Sequence, residues 1–233
     1  MNALLPYRIK RQRRKTIALH VLDNADIEVR MPTWVSRKEA DNFVRSHHAW
    51  LVEQQDERLR QNARKPAFTT GALHPWLGEP LPLLVREGGK LSVCVEDGSI
   101  LLVARKPLDS AAVKAQLSRF YRQQAIEQIS HRFEEWVSRL GCRTGATPHR
   151  LELKFRQMRR RWGSCSSRAV ITLNPQLMKY PWSCIDYVIV HELCHLYHLN
   201  HSRAFYALMA SWLPDWRDRE RLLESLSNKA LFR

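Results

Sequence analysis

Four of the ten histidines in this chain fall within eleven positions, in the string HELCHLYHLNH from His191 to His201. Its first five residues read HExxH. On a helix, residues four apart differ by about 40° around the axis and stack one turn above the other. His191 and His195 can therefore converge on one tetrahedral ion, and Glu192, offset by about 100°, reaches over the same site without being a ligand. Neutral imidazole suits Zn²⁺, and three protein ligands plus a water form the open arrangement of a catalytic zinc. The spacing predicts one zinc ion per chain and a hydrolytic reaction. In it the ion lowers the pKa of water toward about 7 and Glu192 acts as general base.

The third ligand must come from beyond His195. Asn200 is a candidate C-cap, after which His201 begins a turn that can fold back toward the metal, and His201 is taken as that ligand. His198, three residues past His195, competes for the role and otherwise stands behind the ligands or at the surface. Burying Glu192 beside Ile189 and Leu193 without an ion would be costly, which argues against a helix that merely displays histidines. A developing oxyanion also needs a donor besides the metal. Arg159, Arg160, Arg161 and Ser164, in the segment RQMRRRWGSCSSR, are the candidates.

The elements that position these residues can be read around them. Pro181 and the Ser183-to-Asp186 spacing suggest a capped helix start. Ile185, Val188, Ile189 and Leu196 supply an apolar face for a helix running through His198. Further helices are expected from Ser202 to Leu213 and from about Asp215 to Leu226. Leu151–Phe155 and Val170–Leu173 read as strands flanking the arginine-rich segment, after a loop over 141–148. Ser110 to Leu140 carries apolar residues at helical spacing for about thirty positions, which predicts a long helix or a kinked pair. Trp50, Trp136 and Trp162 read as core anchors. In the N-terminal half, Thr16–Val21 and Ile27–Met31 form a hairpin pattern across Asp23-Asn24, carrying a basic first strand. A helix is expected over 36–62, opened by the capping-box pair Ser36 and Glu39. Strands are expected at Trp76–Val85, Leu91–Glu96 and Ser99–Ala104. The fold class is α+β, with a basic β-rich part over residues 1–107 containing one helix, and a helical catalytic domain with a small sheet over residues 108–233.

Composition bounds the rest. The 233 residues are 44% hydrophobic, with 8 Gly and 11 Pro, which excludes collagenous and low-complexity chains. No run approaches the roughly 18 to 20 apolar residues of a membrane-spanning helix. The opening MNALLPYRIKRQRRK places its basic residues after a very short apolar stretch, the wrong order for a secretory signal. The five cysteines contain no CxxC pair and suit a reducing compartment. A cytoplasmic location is expected.

Taken together, Arg161-Trp162-Gly163-Ser164-Cys165-Ser166, then Ile171-Thr172-Leu173-Asn174, Ile185-Asp186-Tyr187-Val188 before His191-Glu192-Leu193, and Asn200-His201-Ser202 with Phe205 resemble the YgjP-like metal-dependent hydrolase family. That family is related to the SprT-like and WLM metallopeptidases of zincin type. The resemblance extends weakly to Arg11–Lys15, Trp50 and Gly78. It implies a zincin-like catalytic domain, metal ligands at His191, His195 and His201, and a general base at Glu192. Cys194 departs modestly from the small residue the family places before its second metal histidine and reads as a buried core residue. Asp215, in Pro214-Asp215-Trp216, reads as a helix cap.

The resemblance leaves the substrate open. Metallopeptidase is the family's usual label, while some YgjP-like proteins are associated with hydrolysis of nucleoside triphosphates, UTP in particular, to monophosphate and pyrophosphate. Of the net +15, six positive charges lie in Arg8–Lys15 and four in Arg156–Arg161, and guanidinium forks suit phosphate oxygens. The substrate is thus a peptide or a nucleotide. A third reading makes the chain a nucleic-acid-associated SprT-like protease, with the basic arm giving weak, sequence-independent nucleic-acid binding.

Overall fold

The structure, a computed structural model, describes residues 4–22, 24–63, 67–141 and 151–232. Asp23 of the expected hairpin turn, and 142–148 of the expected loop, lie outside the described residues. The chain divides into two compact units, residues 1–65 and 66–233.

In the first unit β1 (Tyr7–Arg11), β2 (Ala18–Val21) and β3 (Ile27–Met31) form a sheet of order β1-β3-β2. β2 pairs antiparallel with β3, as the hairpin pattern predicts, and β1 joins β3 in parallel. The alternation Ile27, Val29, Met31 turns three fully buried side chains inward onto Val35, Ala40, Val44 and Leu51. The expected single helix is two, α1 (Arg37–Ser46) and α2 (His48–Ala63). The capping box at Ser36 and Glu39 is present at its start. The break lies at His47, because the Phe43 carbonyl that its N–H would reach in an α-helix is taken by Ser46 Oγ at 3.0 Å and by His47 Nδ1 at 2.9 Å. The His47 N–H falls back to Val44 O. Trp50, expected in the core, is 44% exposed on α2.

The second unit opens with the sheet β4 (Leu73–Trp76), β5 (Glu79–Glu87), β6 (Ser92–Glu96) and β7 (Ser99–Ala104), in the order β4-β5-β7-β6. Trp76–Val85 is not one strand. The chain reverses at Leu77-Gly78, both at positive φ, and their N–H groups bond Met178 O and Lys179 O. A side chain at Gly78 would meet Pro181 Cγ at 2.6 Å, so glycine is what lets this turn lie against the segment leading to the histidine helix.

Three helical stretches follow one another without interruption: α3 (Ser110–Gln124), a π turn (Ala125–Ile129) and α4 (Ser130–Arg139). Asp109 caps the start by accepting from Ala112 N at 2.7 Å. Leu83, Ile100, Leu102 and Ala104 share one core with Val113, Leu117, Phe120 and Ile129. The change of texture near residue 107 is therefore the passage from sheet to helix within this unit. Then come β8 (Glu152–Phe155), β9 (Gly163–Cys165) and β10 (Val170–Leu173) in the order β8-β10-β9, and a 3₁₀ turn at Pro175–Lys179. Helices α5 (Trp182–Cys194), α6 (Arg203–Trp212) and α7 (Trp216–Asn228) follow, and a 3₁₀ turn at Ala230–Phe232 comes after them. Among the described residues no helix is long and apolar enough to cross a membrane.

Candidate metal centre

Helix α5 is apolar on nearly every side, with Ile185, Val188, Ile189, Val190, Leu193 and Cys194 all buried. Such a helix is the middle of a core. Its start is not a capping box. Pro181 holds the N-cap position with no side-chain bond, and its carbonyl accepts from Cys184 N and Ile185 N. Asp186 is buried and receives Arg132 Nε at 2.7 Å, Arg132 Nη2 at 2.8 Å, Trp136 Nε1 at 2.7 Å and Arg219 Nη1 at 3.4 Å. The carboxylate thus ties α5 to α4 and α7, because a buried charge needs donors and these helices bring them. Tyr187 adds a bond to Glu220 at 2.6 Å. Asp215 stands at the N-cap of α7, but its carboxylate accepts from Arg219 Nε at 2.9 Å and not from a backbone N–H.

The helix ends earlier than the apolar pattern predicts. His195 is its C-cap, and the chain continues in tight turns with Leu196 N on Leu193 O and Tyr197 N on Cys194 O. Asn200 therefore caps nothing. The reason is His195 itself, whose Nδ1 lies 2.9 Å from the carbonyl of His198, drawing the following segment back over the ring. A carbonyl only accepts, so Nδ1 carries the proton and Nε2 keeps its lone pair. His198 enters the site through its backbone. Seven residues past His195, Ser202 caps α6 by accepting from Phe205 N, and His201 precedes that cap.

His191, His195 and His201 come together, one ligand nitrogen from each lying within 4.8 Å of the others. His201 Nε2 is 3.0 Å from His191 Nε2. Phe205 packs beneath all three, its ring centroid 4.8 to 5.0 Å from each imidazole. Burial first, then the neighbouring rings, pushes His191 down to about 4. Burial also lowers His195, and a neutral imidazole is the state a cation needs. Among the described residues this is the one group of three or more side chains that could hold a metal ion.

Glu192 lies beside them, 5% exposed, with Oε2 shut from solvent and without a hydrogen-bond partner among the described residues. Burial pushes its carboxyl up to about 8, against an opposing pull from Arg161. Its side chain rests on the backbone of β9, where a Cβ at Gly163 would fall 2.7 Å from Glu192 Cγ. Cys165, two residues on, is pushed up to about 11 by burial and then by Glu192. Cys194, fully buried, places its sulfur 3.8 Å from Met209 Sδ and is a core residue.

The loop before β9 carries the arginines. Asn174, 2% exposed, donates from Nδ2 to Met158 O at 2.8 Å and Arg161 O at 3.1 Å, while its N–H bonds Trp162 O. Held this way, Arg156, Arg159, Arg160, Arg161 and Ser164 line one cleft of about 350 Å³. Arg161 is the member whose charge reaches Glu192. Trp162 packs edge-on against Tyr180, and Trp136 is buried. Residue types alone did not reveal Gly163, Asn174 and Phe205 as parts of the site. Gly and Asn ahead of a Pro carry a backbone signal, but nothing in it says what they touch.

No curated protein sequence matches the chain. Among solved structures, the metallopeptidase zymogen abylysin of Pyrococcus abyssi is 20% identical, with a TM-score of 0.37 over 43% of this chain and 96% of its own. The metallopeptidase zymogen jannalysin of Methanocaldococcus jannaschii is 18% identical, with a TM-score of 0.36 over 42% and 97%. The family model described as YgjP-like, metallopeptidase domain, matches residues 15–226, and the chain belongs to the YgjP-like family of metal-dependent hydrolases.

Proposed function

We propose that the chain hydrolyses peptide bonds with a zinc ion held by His191, His195 and His201 and with Glu192 as general base. The observation that carries this reading is the Glu192 carboxyl, buried beside three converging imidazoles with one oxygen unpartnered among the described residues. A carboxylate is stranded in such a place at a cost unless a cation or a proton in transit is its partner. Three nitrogens and no thiolate fit zinc with an open position. A divalent ion bound there supplies Lewis acidity, polarising a carbonyl and making water more acidic.

The chain's own groups do the rest. Glu192, fixed against Gly163, takes a proton from the attacking water and returns it to the departing amine nitrogen. Arg161 places positive charge where the substrate oxygen becomes negative. β9 is the last strand of its sheet, so an extended peptide laid along its outer edge passes Glu192 and gains main-chain hydrogen bonds.

The four-arginine cleft supports a second reading, hydrolysis of a nucleoside triphosphate such as UTP to monophosphate and pyrophosphate. Guanidinium groups chelate phosphate oxygens in pairs, and a neutral peptide makes no use of four of them. Incubation with unfolded casein and with UTP, with zinc or manganese added and Glu192→Gln as control, separates the two. Peptide fragments establish the first reading and pyrophosphate the second. Silence of the metal-loaded protein toward both overturns both.

A further inference from the structure

The outer face of the first unit's sheet is basic by design of its register. Arg8 and Lys10 of β1 stand beside Glu28 and Arg30 of β3, which stand beside His20 and Ala18 of β2. Ile27, Val29 and Met31 point the other way, into the core, so these six positions share the face that α1 and α2 leave uncovered. Two carboxylates temper it, Glu28 paired with Arg30 at 2.6 Å and Asp26 near Arg8 at 3.3 Å. Arg14 adds charge near His20, whose pKa is lowered by burial and then by Arg30 and Arg14. The Nε of Arg14 is buried with no acceptor among the described residues. Residues 1–65 hold fourteen Lys and Arg against eight Asp and Glu.

One aromatic ring accompanies this charge. Arg11 points its guanidinium at the loop that follows β3, with Nη1 donating to Thr33 O at 2.7 Å, Val35 O at 2.9 Å and Pro32 O at 3.4 Å. A single charged group with three carbonyl acceptors pins that loop to the end of β1. The residue it displays is Trp34, 72% exposed. A bare indole is expensive to leave in water, and this one is held out on a rigid mount at the end of the two strands that carry Arg8, Lys10 and Arg30.

We propose that this sheet binds single-stranded nucleic acid, with phosphates along Arg8, Lys10 and Arg30 on its outer face and a base stacked on Trp34 beyond the strand ends. Alternate strand residues lie about 7 Å apart, a row of cations that a polyanion can follow. A flat exposed ring fits a flat partner with a π face, and every base has one. A membrane surface fits less well, since insertion calls for a broad apolar face and here one ring stands among charges. A duplex keeps its bases stacked on each other and offers the indole nothing. The surface lies within residues 1–65 and does not rest on the hydrolase reading.

The test uses the full chain and a labelled mixed-sequence single-stranded oligonucleotide, followed by fluorescence anisotropy between about 50 and 200 mM salt. Duplex DNA, polyglutamate and vesicles of anionic phospholipid serve as competitors. Binding is expected to weaken linearly in log salt. Arg8→Ala with Lys10→Ala should reduce the slope by about 1.4, at roughly 0.7 per phosphate contact on a single strand. Trp34→Ala should weaken binding roughly five- to a hundredfold and leave the slope alone, with Trp34→Phe recovering part of the loss. Circular dichroism and metal content of each variant should match the parent. The proposal fails if the oligonucleotide does not bind at low salt, or if neither set of substitutions moves the affinity. It also fails if duplex, polyglutamate or vesicles compete as well as the single strand.

Discussion

Gly163 and Glu192 touch so closely that no side chain fits between them: a Cβ at 163 would stand 2.7 Å from Glu192 Cγ and 2.8 Å from Cδ. Both sides are backbone-fixed, Gly163 by its pairing with Leu173 in β10 and Glu192 by a buried helix. Gly163→Ala therefore displaces the carboxylate. The variant should keep its metal and lose about a hundredfold in kcat, the usual loss when a reacting group moves by about 1 Å. Turnover within a factor of two of the parent would show that the contact does not position Glu192.

Glu192→Gln removes the proposed base and leaves the shape. It should bind one zinc per chain and lose about 10² to 10⁴ in turnover, the range of general-base contributions. Metal analysis and kinetics on the same preparation check both halves. Retained activity would assign the proton transfer to another group.

Zinc content should be close to one per chain in protein purified without a metal-affinity tag, and His191→Ala should abolish it. Chelation should also lower the unfolding midpoint. An ion at about one hundred times its Kd stabilises by about 2.7 kcal/mol, and its removal forfeits that contribution. Calorimetry before and after chelation measures the shift.

Asp186→Ala leaves the Trp136 indole without its acceptor and takes one buried partner from Arg132, which keeps Glu135, and from Arg219, which keeps Asp215. Breaking a buried ion pair costs about 3 to 5 kcal/mol. The low end is expected because the Arg132 side chain is 38% exposed and can turn to water. Arg132→Ala should cost less than Asp186→Ala, since Arg219 and Trp136 still satisfy the carboxylate. Urea denaturation of the two variants gives the order, and the reverse order would contradict the role assigned to Asp186.

Much of this site could be read before any coordinates. Four-residue spacing brought His191 to His195, and the turn after it brought back His201, because helical geometry acts over a few residues and is written locally. The arginines line one cleft because they are near neighbours in the loop that Asn174 holds. The rest depended on what meets across space. Ser183 and Asp186 have the spacing of a capping box, yet Asp186 is claimed by Arg132 and Trp136 fifty residues away, and local pattern is silent about such competition. Trp50 has the composition of a core anchor and lies on the open side of α2, since only the Val44 and Leu51 faces of α1 and α2 meet the sheet. The break at His47 came from two side chains competing for one carbonyl, a contest that hydrophobic periodicity does not register.

The π turn at Ala125–Ile129 can be understood as a phase correction. Tyr121, Ala125, Ile129, Phe133 and Val137 are all buried and all four residues apart. On an unbroken α-helix each such step advances about 40°, so the apolar stripe would wind away from the core over these sixteen residues. One wider turn absorbs the surplus residue, and Tyr121 and Val137 face the same interior. Arg132 and Trp136 are thereby delivered to Asp186, and the aim of the histidine helix is set by an extra residue placed more than fifty positions upstream.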